Sequence, residues 1–300
     1  MKMSASSEKS QRYSAVKGRL RLPSQIASLA NMFCTCENPA CLERCILWPE
    51  WIRKNKGINL QGKWYCSPEC FEQAAQTAFQ RLLPSPEAAR KKAYRIPIGL
   101  LLLSRGMINN QQLKLALDLQ RERGSGRIGK FLQEIHAVSE KDITDGLAAQ
   151  WGCPVYPLSQ AREFLKCSSL LPLTLLEAGR MLPVHHLRLQ RTLYIGFVEG
   201  IDHSALYAVE QMLQIRTVPC IVSESELLFA LDSLRRGEGE LATVFDSPSE
   251  PVEMARTTRS YARQVGATDV WMARSGRFIW TRLQSVHECK DILFQPLGSV

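Results

Sequence analysis

From residue 97 to residue 150 the apolar positions recur with a shift of thirty. Gly99, Leu102, Ile108, Leu113, Leu117 and Gln120 coincide with Gly129, Leu132, Val138, Ile143, Leu147 and Gln150. A period of this length marks a duplicated supersecondary unit rather than one long helix. Each unit reads as a short helix, a turn and a longer helix. Asn109 with Gln112, and Ser139 with Asp142, place a capping signal at the start of each longer helix. Leu113, Ala116 and Leu117 then stand at i, i+3 and i+4, as do Ile143, Gly146 and Leu147. Two such hairpins pack into a compact four-helix unit over residues 95–152.

Downstream the pattern shortens to strands. Residues 184–189 and 192–198 flank a turn at Gln190-Arg191, and Asp202 caps a predicted helix that runs to about residue 214. Residues 216–222 form an apolar strand, and Ser223 with Glu226 caps a helix ending near residue 236. This makes 153–236 a small α/β sandwich. His185 and His186 fall on its first strand, where neighbours face opposite sides and do not easily share a metal. Residues 237–252, rich in Gly, Glu, Ser, Pro and Asp, read as a linker. Residues 253–300 read as a short α/β tail, with a helix over 254–265 and strands over 269–273 and 277–283. The fold class expected is therefore α+β and multidomain.

Upstream of the repeat, chemistry says more than pattern. The chain carries a net charge of +9, and residues 1–94 hold 15 Lys and Arg against 7 Asp and Glu, so nearly all the excess lies there. Residues 1–30 are polar, Ser-rich and basic, as expected of a disordered tail. They lack the apolar core of a secretory leader, and no apolar run reaches the length of a membrane span. A cytoplasmic chain keeps its thiols reduced, so clustered cysteines point to metal rather than to disulfides.

Six of the ten cysteines lie between Cys34 and Cys70, as C-x-C-x4-C-x3-C-x20-C-x3-C. Zinc takes four thiolates in a tetrahedron, brought together as two close pairs. Cys66 and Cys70 form one pair at a helix start marked by Ser67 and Pro68. The other is assigned to Cys36 and Cys41, with Cys34 or Cys45 as possible substitutes. A hairpin over 58–65, turning at Gln61-Gly62, separates the pairs. Residues 31–85 are thus expected to be a treble-clef-like, four-cysteine zinc finger. Such a site is closed, with no open position for catalysis. Arg53, Lys54, Lys56 and Lys63 lie around Trp48, Trp51 and Trp64, which adds a nucleic-acid reading of this basic head.

The helical unit resembles a known family. Ile98-Gly99-x2-Leu102-x3-Gly106-x-Ile108-x4-Leu113-x3-Leu117-x2-Gln120, followed by Arg127-Ile128-Gly129-x2-Leu132, resembles the tandem motif of the MshEN domain. That domain is the N-terminal region of the secretion and pilus-assembly ATPases, the general secretion pathway E family. Residues 151–158, Pro172 and residues 181–184 resemble the landmarks that follow, so the likeness spans about 95–236. Many family members bind cyclic di-GMP through this tandem. The resemblance implies a nucleotide site at Arg95, Ile98, Gly99 and Leu102 in the first motif and at Arg127, Ile128, Gly129 and Leu132 in the second. Pro97 stands at the first motif's arginine position, with Arg95 two residues upstream, and His136 stands where glycine is usual. The tail resembles the entry to the ATPase core. No G-x4-G-K-[ST] loop occurs, and Gly62-Lys63 and Gly129-Lys130 lack its spacing. The expectation is a non-enzymatic, free-standing N-terminal region that lacks the ATPase core. Its implied partners are a secretion or pilus assembly protein, either the membrane platform or the ATPase, with cyclic di-GMP as ligand. Nucleic acid is the alternative partner.

Overall fold

The computed structural model describes residues 33–43, 48–49, 56–83, 95–158, 163–237, 242–246 and 250–296. The expected N-terminal tail, Cys45 and Trp51 lie outside these residues. The chain begins with β1 (Phe33–Cys34), paired antiparallel with β2 (Trp48–Pro49). β3 (Ile58–Leu60) and β4 (Lys63–Tyr65) form the expected hairpin. Its turn puts Gln61 at φ 51 and Gly62 at φ 77, the left-handed region where glycine has no steric cost. α1 (Pro68–Leu82) follows, with Pro68 in its first turn and the Ser67 hydroxyl accepting from the Cys70 amide at 3.3 Å. It buries Cys70, Phe71, Ala75 and Phe79.

The repeat is built as α2 (Ile98–Ser104), α3 (Asn110–Arg123), α4 (Ile128–Glu134) and α5 (Glu140–Trp151). Both capping boxes form. The Gln112 amide donates to Asn109 Oδ1 at 2.8 Å, and the Asp142 amide donates to Ser139 Oγ at 3.2 Å. The thirty-residue equivalents meet in one core, where Leu102 and Leu132 are both fully buried and Ile108 and Val138 join them. Leu117, predicted to lie on the buried stripe, is 36% exposed, and Ala116 takes the fully buried position.

α6 (Glu163–Cys167) and α7 (Leu173–Gly179) lead into β5 (Met181–Leu187) and β6 (Thr192–Phe197). α8 (His203–Leu213), β7 (Arg216–Ile221) and α9 (Glu224–Arg236) complete a three-stranded sheet of order β5-β6-β7, antiparallel then parallel. A bulge between Pro183 and His185 breaks the strict alternation expected there. His185 and His186 both line one small cavity of about 310 Å³ together with Glu163 and Cys167. Among the described residues these four do not converge to metal-ligand spacing.

The last part departs from the expected layout. β8 (Thr243–Asp246) lies inside the predicted linker, and α10 (Pro251–Val265) precedes β9 (Asp269–Ser275), β10 (Phe278–Gln284) and β11 (Cys289–Gln295). β8 adds in parallel to the edge of β11, which supplies hydrogen-bond partners that the local composition does not reveal. β11 shows no period-2 signal because Ile292, Leu293 and Phe294 are all buried, as in a strand covered on both faces.

The finger segment and the tail, expected as separate units, share one sheet of order β4-β3-β9-β10-β11-β8. The Asn59 amide donates to the Thr268 carbonyl at 2.8 Å, and the Gln61 amide to the Val270 carbonyl at 2.9 Å. β10 alternates between two cores. Ile279 and Leu283 face α1 and α10, whereas Phe278 and Trp280 face the α/β segment. A short hairpin is marginal alone and gains its stability by joining this larger sheet.

Candidate functional site

Cys36, Cys41, Cys66 and Cys70 converge, with all four sulfurs within 4.8 Å of one another. The Cys41 and Cys66 sulfurs are 3.5 Å apart, and those of Cys66 and Cys70 are 4.0 Å apart. A tetrahedral zinc with Zn–S of about 2.3 Å puts its sulfurs about 3.8 Å apart, so this donor set fits such an ion. The scaffold around the thiols is specific. The Glu37 amide donates to the Trp64 carbonyl at 3.0 Å, and the Cys41 amide to the Asn38 carbonyl at 3.1 Å. Buried Asn38 accepts from the Ala40 amide through Oδ1 at 3.0 Å and donates to Gln73 Oε1 on α1 at 2.8 Å.

Thiols packed this closely cannot all ionise alone. Burial and the adjacent Cys41 and Cys36 push the Cys66 thiol well above its ordinary range. At Cys70 burial also pulls upward, but hydrogen bonds with Asn38 and Ser67 outweigh it and hold that thiol below its usual value. A divalent cation held by these thiolates would supply the missing positive charge. Trp48 and Trp64 lie beside the cluster with ring centroids 5.8 Å apart and planes tilted by 56°, and Trp64 is buried against Gly57 while Trp48 is partly buried. Both indoles pack in the core of the head.

A second site lies where the helical repeat meets the α/β segment, as a cleft of about 710 Å³. Ile98, Arg127, Ile128 and Gly129 line it. The other four expected nucleotide contacts lie elsewhere. Leu102 and Leu132 are fully buried in the repeat core. Gly99 faces α3, where an added Cβ would come within 2.8 Å of Leu113 Cδ1. This glycine permits helix contact rather than access to a ligand. Arg95 stacks its guanidinium over Trp151, 3.2 Å from the ring centroid, and is not among the lining residues. His136 sits at φ 55 and Gly106, thirty residues earlier, at φ 69, so the histidine occupies a left-handed turn position that glycine adopts without strain.

The α/β segment adds charges to the cleft that the repeat alone did not indicate. Arg127 pairs with Glu199, and Arg180 binds the same carboxylate with Nε 2.9 Å from Oε1. Arg180 also pairs with Glu224, and Glu140 accepts from the Ser225 amide and hydroxyl at 2.8 Å each. Burial, with neighbouring Arg180, lowers the Arg127 pKa. Two guanidinium groups on one carboxylate make an anion-holding arrangement already occupied by the chain's own Glu199. Arg180 and Glu199 carry no local sequence signal, since their positions depend on how the α/β segment docks against the repeat.

Residues of this chain align at 25% identity over 134 residues with the type IV pilus assembly ATPase PilB of Thermus thermophilus, covering 45% of this chain. Homology to the N-terminal domains of pilus and secretion ATPases covers about half of the chain. The matched segment amounts to 15% of the length of PilB. A solved structure of MshE with cdg is 28% identical, with a TM-score of 0.40, covering 46% of this chain and 99% of that one. The N-terminal domain of XpsE is 20% identical, with a TM-score of 0.34, covering 47% and 97%. No family model matches the chain. Among the described residues, no helix is long and apolar enough to cross a membrane.

Proposed function

We propose that this chain is a non-enzymatic regulatory or adaptor module of a type II secretion or type IV pilus-like machine, and that its cleft takes cyclic di-GMP. The observation that carries the reading is the Arg127-Ile128-Gly129 motif at the cleft wall, in a region homologous to a pilus ATPase. The relative solved with cdg adds the ligand class. Arg127 would hold a phosphate, and Ile98 and Ile128 would flank a base. Arg95, Gly99, Leu102 and Leu132 support the cleft from behind. Binding would require a phosphate to replace Glu199 at Arg127, because both anions seek the same guanidinium. The partner would be the ATPase or the membrane platform of the machine, reached from the cytoplasm.

The four cysteines are assigned to structural Zn²⁺. Cys36 and Cys41 would provide one ligand pair and Cys66 and Cys70 the other, closing the coordination sphere. Bound zinc would neutralise the thiolates and hold the head in place, with no chemistry beyond that.

Calorimetry on the whole chain tests the ligand. Cyclic di-GMP binding that is lost in Arg127→Ala supports the assignment. No heat at ligand concentrations of about 1 mM, where even a −4 kcal/mol interaction registers, removes it. Elemental analysis tests the metal, with about one zinc per chain expected for a closed four-thiolate site.

A further inference from the structure

A third concave region lies between the head and α10. It has a volume of about 500 Å³ and is lined by Lys56, Arg256, Arg259 and Arg263, with Ser260 and Thr268 between them. Arg256, Arg259, Ser260 and Arg263 fall on one ridge of α10, at i, i+3, i+4 and i+7. The opposite side of that helix is buried through Met254, Ala255, Thr258 and Ala262. The arginine ridge is therefore held in place by core packing.

The charge is only partly balanced. Glu72 on α1 pairs with Arg259 at 2.7 Å and contacts Arg256 at 3.5 Å, so two guanidinium groups share one carboxylate. Glu69 is the acidic residue in the lining. Among the described residues no carboxylate pairs with Lys56 or Arg263. Residues about two hundred positions apart thus contribute to one cationic cleft, because β3 pairs with β9 and brings the head beside α10.

We propose that this cleft binds the phosphodiester backbone of a nucleic-acid strand. Guanidinium groups match phosphate oxygens in a bidentate fork. Their separation along a helix face, about 5–6 Å per step, suits successive phosphates of an extended strand. Ser260 adds a hydroxyl donor of the kind that accompanies such contacts. Buried Trp64 and partly buried Trp48 belong to the core of the head, so binding follows the backbone and is independent of base sequence. A concave cationic groove fits a strand better than the flat surface of a bilayer.

The test uses the whole zinc-loaded chain and a fluorescein-labelled 20-nucleotide strand, as RNA and as DNA, followed by anisotropy. The expected result is binding at 50 mM salt that weakens steeply as salt rises. Replacing Arg256, Arg259 and Arg263 together by Ala should weaken binding at least about tenfold and lower the salt slope by about 2–3. The corresponding Lys variant should recover most of the affinity. Glu72→Gln should act in the opposite direction and strengthen binding several-fold. Thermal melting of each variant separates lost contacts from lost folding. No binding by the native chain at 50 mM salt overturns the proposal. So does an Ala variant that folds and binds as the native chain does, or association with phosphatidylglycerol vesicles in place of the strand.

Discussion

The cysteine head and the repeat cleft are built in opposite ways. The head gathers its chemistry from a stretch of 35 residues, Cys36 to Cys70, with a knuckle and a helix start that fix each sulfur locally. The cleft has a recognisable repeat on one wall, but the charged neighbours of its Arg127, which are Arg180, Glu199 and Glu224, come from the other. A metal site can be encoded by spacing because its ligands need only reach one point. An interfacial cleft depends on docking, which no local pattern encodes. The support reverses this relation. The repeat has its own core, whereas the head relies on a sheet completed by β9, β10 and β11.

Removing the metal should have the largest effect. Structural zinc contributes apparent binding free energies of about 10–16 kcal/mol in isolated fingers. Chelation, or Cys70→Ser, is expected to loosen the head and also to expose β3 and β9. Hydrogen exchange checks this, and protection that persists unchanged along 269–275 would show that the sheet stands without the cysteines.

Next in size is Trp280→Ala, expected to cost about 3–5 kcal/mol. Trp280 is fully buried on the face of β10 that meets the α/β segment, and its Nε1 donates to Asp291 Oδ1 at 2.7 Å. Denaturant unfolding measures the loss, and a cost below about 1 kcal/mol would mean that the two cores are not tightly joined.

Arg127→Ala should weaken cyclic di-GMP by about ten- to a hundredfold, the range for one charge-assisted hydrogen bond of about 1.5–3 kcal/mol. Calorimetry reads it directly. Gly99→Ala should lower the stability of the repeat by no more than about 1 kcal/mol, because the contact is with the flexible end of the Leu113 side chain and alanine favours the helix. Thermal melting of that variant checks this, and a larger loss would show that Leu113 cannot yield.

A comparably small effect is expected at the α5 cap. Ser139→Ala should cost about 1 kcal/mol. Hydrogen bonds from the Ser139 side chain and backbone hold the Asp142 carboxyl below its usual value. A depressed pKa gives stability that is present above the unfolded value, about 3.9, and lost as pH falls through the folded one. The native repeat should therefore lose this increment in acid below pH 4, and Ser139→Ala should show a flatter profile. Equal profiles would remove the cap from the stability account.

Much of this was legible in particular residues. The capping boxes, the Gln61-Gly62 turn, the Ser67-Pro68 helix start and the Asp202 cap all act where the sequence placed them, because each depends on a few neighbouring backbone groups. β8 and β11 were not legible. One is a short edge strand within a polar stretch, and the other is buried on both faces and lacks alternation. Of the expected nucleotide residues, Arg127 and Ile128 could be placed from the motif. Arg95 could not, since its stacking partner Trp151 becomes available only when the repeat closes.

The sequence by itself determined the repeat, the thiol spacing and the positions of the caps, all of which are set by periodicity and short-range hydrogen bonding. Only the tertiary structure decided that the head and the tail are one sheet. It also decided that Glu199 sits on Arg127 and that Lys56 faces the arginines of α10. These depend on pairings between residues as many as 210 positions apart, and their energy comes from surfaces that exist only after the segments have folded and met.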